Sequence, residues 1–444
     1  MIDFLRKATF SVTASRLTGL SLSVFAASLF PAPAHAWDFR GEVAGEGRYF
    51  TEGRGYNEYW HNGSAYLKAE VLHDWNDRRD LFTFIPYARV DEHDEDRTHA
   101  DIRELSWIHV ADTWESRVGV RKVFWGVTEG RHLVDIINQT DLVDQIDGEE
   151  KLGQQMVNVS TVQDWGILDV YLLPGFRERT FPGEDGRPRL PVVIDQDHAQ
   201  YESAAEQERV DAAIRLQMFL GSWQVALSHF SGTSREPLLL PNIQDLTPAQ
   251  IGALVTTQQL PVGFDARLTP YYSVIDQTGL ELQYINEGWI WKLEAISRSG
   301  EGDRFAAYDA GFEFTQYALF GSDIDLGYIV EYMYEDRNEL LASPFEHDWL
   351  FGGRMTFNDV ASTELLMGLI YDPHSEEKAI SFESSRRFGD RLKVSLEGRF
   401  YADTGGAPTA GQVFLGALLE QAPDTPLAVY TNDDMVQLEM VYYF

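Results

Sequence analysis

The sequence of 444 residues contains no cysteine. This absence excludes disulfide bonds, thiolate metal sites, thiol nucleophiles and a lipid-modified N-terminal cysteine. Beyond the first 36 residues the sequence also lacks any run of about 18 apolar residues, the length at which a segment reads as a membrane-spanning helix. Because 44% of the residues are nonetheless hydrophobic, they must alternate with polar residues, and this pattern is typical of β-strands.

Basic residues are few. The chain has 36 lysines and arginines against 70 aspartates and glutamates, which gives a formal net charge of −34. The acidic residues are spread along the chain and do not form a tail. Nucleic-acid binding requires a basic stripe or patch, so no nucleic-acid partner is predicted.

The common catalytic motifs are also missing. The sequence has neither a Gly-x-Ser-x-Gly elbow nor a His-Glu-x-x-His motif, and its histidines are scattered. We therefore predict no enzymatic activity and no cofactor. A barrel enzyme that assembles its catalytic residues from distant loops is the alternative.

The N-terminus has the features of an export signal. A basic start is followed by an apolar run over residues 17–30 and by the small-x-small pattern Ala34-His35-Ala36. The sequence therefore predicts a cleaved signal peptide over residues 1–36 and a mature chain over residues 37–444. An uncleaved membrane anchor is the alternative, but the apolar run is short of the roughly 20 residues that a spanning helix needs.

Alternation of apolar and polar residues is clearest at the C-terminus. In residues 435–444 every even-numbered position is apolar, and Gln437 and Glu439 lie between these positions. The same period of two recurs over residues 210–220, 308–314, 324–334 and 363–369. This period predicts strands, but it leaves open whether the apolar face points into a soluble barrel or out of a membrane barrel.

The final residue carries a resemblance that favours the second possibility. The strand ends on Phe444, and in this it resembles Gram-negative outer-membrane barrels, whose last strand typically ends in an aromatic residue that the barrel-assembly machinery recognises. The resemblance implies an outer-membrane location with an apolar outer face and a polar lumen. It also implies contact with outer-membrane lipid and lipopolysaccharide.

Short and long connections alternate along the mature chain. Short Gly-, Asn- and Asp-rich turns are interleaved with nine long loops, and counting strands between them gives an even number with both termini on one side. The predicted fold is therefore all-β: a single transmembrane antiparallel barrel of about 18 strands (16 to 18), with long external loops and short periplasmic turns. No plug domain precedes the first predicted strand, 39–49, so energy-coupled uptake is not predicted.

The most informative internal segment covers residues 117–150. A predicted strand over residues 117–126 carries Arg117 and Arg121 on one face and Val118 and Val120 on the other, and a long acidic loop follows. The arginines are therefore expected to face the lumen. Arginines opposed to carboxylates at a narrow point produce a transverse field that selects charged or dipolar solutes. An ordinary external cap, in which these charges neutralise one another, is the alternative.

This segment resembles uncharacterised porin-like barrels and, more loosely, porins whose third external loop folds into the channel. The resemblance covers about 30 residues and implies a channel for diffusion or selective uptake of small hydrophilic or amphiphilic solutes. The predicted pore constriction consists of Arg117, Arg121, Arg131, His132, Asp135, Asp141 and Asp144. A polysaccharide export barrel and a structural anchor are the alternatives, although mixed charge at the inward positions does not favour a pore for an acidic polymer.

A second candidate is an arginine-rich loop. Arginine forks suit carboxylate, sulfate or phosphate groups, so the loop is a possible anion-binding site. Its residues are Arg177, Arg179, Arg187 and Arg189. Binding of lipopolysaccharide phosphates or of the protein's own acidic loops is the alternative.

An acidic run and two apolar patches lie in predicted external loops. The acidic run Asp91–Asp96 lacks the glycine-punctuated spacing of a calcium loop, so no metal site is predicted there. Apolar patches at 248–257 and 412–421 predict short helices inside external loops, where they would pack in the mouth as lids.

Overall fold

The structure is a computed structural model that describes residues 37–52, 59–337, 345–421 and 425–444. The predicted signal peptide lies outside the described residues. The strands are β1 (Asp38–Phe50), β2 (His61–Trp75), β3 (Asp80–Asp91), β4 (His99–Val110), β5 (Trp114–Arg121), β6 (Gln154–Gln163), β7 (Gly166–Pro174), β8 (Val193–Ile194), β9 (Gln200–Tyr201), β10 (Val210–Leu220), β11 (Trp223–Thr233), β12 (Leu238–Pro241), β13 (Arg267–Tyr272), β14 (Val274–Asn286), β15 (Trp289–Ser299), β16 (Phe305–Gln316), β17 (Asp325–Glu335), β18 (His347–Thr356), β19 (Glu364–Tyr371), β20 (Lys378–Phe388), β21 (Leu392–Ala402) and β22 (Met435–Tyr443). The helices are α1 (Pro248–Thr257) and α2 (Ala410–Leu419).

Within the described ranges, 18 of these strands form one closed antiparallel barrel. Each barrel strand pairs with the next one along the chain, and β22 pairs with β1, where Gly45 lies opposite Met440. Closure removes the unpaired strand edges that a bilayer cannot hydrate. The predicted fold class and strand number are confirmed.

Side chains alternate between the two faces of the barrel wall. On the outside, Leu438 is 43% exposed and Ile214 is 44% exposed, whereas Glu331, Asp309 and Glu294 on the inside are fully buried. Charged groups inside and apolar groups outside are the reverse of a soluble barrel. The predicted orientation of the faces is therefore confirmed.

The connections also follow the predicted order. Most connections at the end of the barrel where β1 begins and β22 ends are short turns, and most connections at the opposite end are longer loops. Both predicted helices are present, and each begins with a capping box: Thr247 with Gln250, and Thr409 with Gln412. Among the described residues no helix is long and apolar enough to cross a membrane.

The long loops contain a layer that sequence reasoning did not find. Strands β8, β9, β12 and β13 form a small sheet, and helices α1 and α2 share an apolar core with residues of this sheet and its flanking loops, including Leu254, Leu268 and Phe414. We call this layer the outer cap. Its strands have only two to six residues, which is too short for a period of two to be recognised.

The predicted strand over 117–126 was too long. Strand β5 ends at Arg121, and the following residues leave the wall for the inside of the barrel. The reason is local: the backbone N–H of Val123 donates to Asn138 Oδ1 at 2.8 Å, and that of Trp125 donates to Asp135 Oδ1 at 3.2 Å. Side chains of the following loop thus replace the partners that a neighbouring strand would have provided.

Since the chain has no cysteine, single cysteines can report the two faces. A cysteine at Leu438 should be protected by lipid from a small aqueous thiol reagent, because this side chain points outward. A cysteine at Gln217 should react, because Gln217 accepts a hydrogen bond from Arg215 on the inner face. The measurement is labelling of intact membranes analysed by mass spectrometry. The reverse pattern would mean that the faces have been assigned backwards.

A candidate constriction inside the barrel

Residues 122–153, which connect β5 to β6, fold into the barrel, and we call them the inner loop. Trp125, Val134 and Ile137 of this loop are at most 2% exposed, and they pack against Met156 and Phe230 on the inner wall. A flexible external loop would not bury apolar side chains inside the barrel. Apolar burial therefore holds this loop in the lumen.

Asn138 joins the two ends of the inner loop. Its Oδ1 accepts the N–H of Val123, and its Nδ2 donates to the carbonyls of Arg121 and Leu152, each at 2.8 Å. Arg121 ends β5, and Leu152 lies just before β6. One buried amide therefore closes the base of the loop.

The tip of the inner loop is held by carboxylates of the opposite wall. Glu294 on β15 accepts the N–H groups of Val127, Thr128 and Val134 at 2.6, 3.0 and 3.2 Å. Glu331 on β17 accepts those of Glu129 and Gly130, and Asp309 on β16 accepts that of Arg131. Six backbone N–H groups of the loop thus find acceptors on three neighbouring strands of the wall.

Gly130 allows this close approach. A Cβ atom at this position would lie 2.9 Å from Asp309 Oδ2 and 2.9 Å from Met333 Sδ. A larger residue would have to displace the ends of these side chains, including a carboxylate that accepts an N–H group of the loop.

Two arginines hold the acidic part of the inner loop against the near wall. Arg103 on β4 contacts Asp141 at 2.6 Å and also pairs with Asp144. Arg89 on β3 lies 3.0 Å from the other oxygen of Asp144. All four side chains are at most 4% exposed, so these are buried ion pairs with their charges compensated.

The protonation of the loop carboxylates follows from their partners. Burial raises the pKa of Asp135 to about 6, although Lys151, 3.5 Å away, acts in the opposite direction. Burial alone would also raise the pKa of Asp141, but Arg103 more than offsets it and holds this pKa below its ordinary value. Asp141 is therefore ionised at neutral pH, whereas the pKa of Asp135 lies close to neutral pH.

The segment 141–147 divides the space inside the barrel. Gln145 lines two polar cavities of about 330 and 340 Å³. Glu383 and Lys393 also line the first of them, and Glu439 lines both. Leu142 and Ile146, on the other side of the segment, line an apolar cavity of about 170 Å³. The inner loop thus separates a polar region from an apolar one.

The predicted constriction residues are divided among different partners. Arg131 pairs with Glu335 at 2.8 Å, and His132 lies 3.3 Å from Glu149. Arg117 pairs with Glu115 on its own strand, and Arg121 lies 3.7 Å from Glu104. Neither Arg117 nor Arg121 forms an ion pair with Asp135, Asp141 or Asp144 among the pairs found for the described residues.

The arginines that pair with Asp141 and Asp144, namely Arg89 and Arg103, were missed. A signal was present, because Arg89 alternates with the outward Ala88 and Val90, which predicts an inward side chain. The register was less predictable. The pairing of β3 with β4 shifts at Ile85 and Pro86, so sequence spacing alone does not give the depth of Arg103 relative to Arg89.

The four arginines of the predicted anion-binding loop also have internal partners. Arg177 pairs with Asp101 at 3.0 Å, and Arg179 donates to Gln139 at 3.3 Å. Arg187 is 3% exposed and pairs with Asp433 at 2.8 Å. It also donates to carbonyl groups of other loops, those of Tyr59, Glu52 and Asn432. Arg189 donates to the carbonyls of Glu184 and Leu190.

Two other groups of carboxylates resemble metal-binding sites, but their oxygen atoms already have partners within the protein. Asp94, in the acidic run, accepts the N–H groups of Gly183 and Asp96 and so joins two external loops. His99, Asp141 and Asp144 bring possible ligand atoms within 4.8 Å of one another. Because Arg103 and Arg89 already neutralise both aspartates, this arrangement is better explained by ion pairing.

Replacing Asn138 by alanine should loosen the base of the inner loop. The change leaves one N–H and two carbonyls without their partner, and each buried unsatisfied group costs about 1–3 kcal/mol. We expect a lower thermal midpoint and larger fluctuations of the single-channel current. Asn158→Ala on β6 is the matched control, because Asn158 contacts the carbonyl of Val170 and Arg117 but not the inner loop. Equal current noise in the two variants would contradict the assigned role of Asn138.

No protein-family model matches this sequence, and no curated protein is similar to it. Solved structures do resemble it. A BenF-like porin from Pseudomonas fluorescens has a TM-score of 0.51 at 9% sequence identity, covering 93% of this chain and 98% of that chain. OprB of Pseudomonas putida has a TM-score of 0.41 at 10% identity, covering 92% and 94%, and a variant of Rh. blastica porin has a TM-score of 0.39 at 10% identity, covering 92% and 100%. The closed barrel of 18 strands and its similarity to the BenF-like porin show that the chain has the fold of an antiparallel β-barrel of the kind seen in that porin.

Proposed function

We propose that this protein is a porin-like channel in the outer membrane of a Gram-negative bacterium, through which small hydrophilic or amphiphilic solutes diffuse. The observation that carries the proposal is the inner loop, which is fixed inside a barrel of 18 strands and is flanked by polar cavities. A barrel of this size has room for an aqueous lumen, and a folded-in loop narrows it.

The constriction that we propose differs in part from the one predicted from sequence. Asp141 and Asp144 remain in it, and Arg103 and Arg89 replace Arg117 and Arg121 as their partners. Arg399, which contacts Asp147 at 2.6 Å, extends the charged lining toward β21. Arginines and carboxylates in one narrow place favour solutes that are dipolar or charged.

One of the two polar cavities, that of about 330 Å³, has a net negative lining. Glu364, Glu383 and Glu439 line it, and none of the three takes part in an ion pair found among the described residues, whereas Lys393 is the one basic residue of its lining without such a pair. Carboxylates along a low-dielectric wall raise the local concentration of cations. We therefore expect a moderate preference for cations over anions.

The signal peptide, the recognition of Phe444 by the assembly machinery, the contact with lipopolysaccharide and the absence of catalysis all stay predictions. For Arg177 and Arg187 we favour a structural role that ties loops together, since their donors meet carboxylates and carbonyls of the protein.

Reconstitution in a planar bilayer tests the proposal. The purified, heat-modifiable barrel should give discrete conductance steps, and a salt gradient across the membrane should give a reversal potential of the sign expected for cations. A folded barrel that inserts without conducting would contradict the channel. An anion-selective reversal potential would retain the channel but contradict the proposed role of the lumen carboxylates.

A further inference from the structure

The apolar cavity above the inner loop is not explained by diffusion of hydrophilic solutes. Its walls come from the inner loop, from the arginine-rich loop with β8, and from β12 of the outer cap. The principal side chains are Leu142, Ile146, Phe181, Leu190, Val193 and Leu239. Water gains little from such walls, because a buried water needs two to four polar partners.

The cavity is large for a packing defect. Protein interiors have few voids larger than a water molecule, and an unfilled apolar cavity is destabilising in proportion to its volume. A volume of about 170 Å³ is similar to that of an engineered apolar cavity of about 150 Å³ that binds benzene. The space therefore fits an apolar group of about six carbon atoms.

The position of the cavity connects it with passage through the barrel. Leu142 and Ile146 lie within the same segment as Gln145, whose side chain lines both polar cavities. Ile146 directly follows Gln145, and Leu142 lies three positions before it, so the apolar and polar linings adjoin along the chain. An amphiphilic molecule is the kind of solute that can use both surfaces.

The rim of the cavity supplies polar contact. Arg189 lines it, held in place by donating to the carbonyls of Glu184 and Leu190. Tyr430 lines it from another loop. An occupant with an apolar end and a polar end would place its carbon atoms among the leucines and its polar part toward this rim.

We propose that this cavity is a binding site for the apolar group of a small amphiphile, one with about six carbon atoms joined to a polar head. The role of this site in transport rests on the proposed channel function, since an apolar site beside the constriction would retain amphiphilic solutes at the mouth of the channel. Binding itself does not require conduction. The site narrows the solute class from small polar molecules in general to those with a short apolar part.

The test is equilibrium binding of n-alkyl β-glucosides to the full mature barrel in lipid nanodiscs, with binding to empty nanodiscs subtracted. Methyl, propyl, butyl and hexyl glucosides share one head group and differ only in chain length. We expect saturable binding at one site. Affinity should rise about fourfold for each added CH₂ group, the gain expected for burying one such group, and should level off near six carbons.

Variants locate the site. Val193→Phe fills the cavity and should remove the dependence on chain length, whereas Val262→Phe makes the same substitution at a fully exposed position and should leave it unchanged. Ile146→Ser, which makes the wall polar without altering the outer cap, should weaken binding of the hexyl glucoside while sparing the methyl glucoside. Heat modifiability is checked for every variant.

Three results would overturn the inference. The first is equal affinity of the native barrel for the methyl and hexyl glucosides. The second is equal binding by Val193→Phe and Val262→Phe, which would place the site elsewhere. The third is a lipid acyl chain that copurifies in the cavity and is not displaced by the hexyl glucoside. Conductance measured on the same preparation separates the two proposals: conduction without binding contradicts only this site, and binding without conduction contradicts only the channel.

Discussion

Replacing residues 142–149 by an Asn-Gly turn should raise the single-channel conductance severalfold and shift the selectivity toward anions. The N–H of Asp141 donates to the carbonyl of Glu150 at 2.8 Å, and Thr140 bridges to Lys151, so these residues form a short hairpin that a two-residue turn can close. The replacement removes the segment that divides the lumen. It also removes Asp144, Asp147 and Glu149 while the wall arginines remain.

The control shortens an exposed outer segment, Ala204–Glu206, with the same two residues. This variant tests whether insertion of an Asn-Gly turn in a long loop changes conductance in itself, and we expect native conductance from it. A correctly folded inner-loop variant with native conductance would mean that the inner loop does not limit passage. An unchanged reversal potential together with a higher conductance would retain the steric role but not the electrostatic one.

Replacing Arg103 by methionine should destabilise the barrel by about 3–5 kcal/mol, the usual cost of leaving a buried charge without its partner. Asp141 is fully buried and has no ion pair other than the one with Arg103 among the described residues, whereas Asp144 also lies 3.0 Å from Arg89. The measurement is the free energy of unfolding in urea, followed by heat-modified mobility. Arg117→Met is the matched control, because Arg117 pairs with a half-buried glutamate on its own strand and should cost less than about 1 kcal/mol.

A second substitution separates charge from packing. Asp141→Asn in the Arg103→Met background should recover part of the lost stability, since the amide no longer carries an uncompensated charge. If the double variant is as unstable as the sum of the two single variants, Arg103 and Asp141 do not interact. The buried pair would then not be the feature that holds the acidic part of the inner loop on the near wall.

The barrel was predictable because its two determinants are local. The period of two places Leu438 outside and Glu439 inside, independently of contacts with distant parts of the chain. The alternation of short turns with long loops gives the strand number. Closure of β22 on β1 then follows from an even count. The strand over 117–126 was predicted too long because its end depends on contacts with a later part of the chain. Val123 and Trp125 leave the wall through hydrogen bonds to Asn138 and Asp135, and the sequence pattern does not reveal such contacts.

The candidate site was predictable only in part. The loop itself was identified from an acidic stretch after an arginine-bearing strand, and the structure places this loop inside the barrel. Its partners come from strands far away in sequence, such as Arg103 on one wall and Glu331 on the other. Pairing of this kind depends on strand register and on the tilt of the barrel, which a single sequence does not provide. The two helices of the outer cap were predicted, but its sheet was missed because the strands are short and the core forms between separate loops.

One labelling experiment tests the central claim most directly. A single cysteine at Gln145 places a unique thiol on the segment that we identify as the narrowest part, and the native chain has no other cysteine. A bulky cationic thiol reagent added during a single-channel recording should reduce the current in one irreversible step, and the same reagent on a cysteine at the exposed Val262 should leave it unchanged. If modification at residue 145 is complete by mass spectrometry and the conductance does not change, the inner loop is not the constriction.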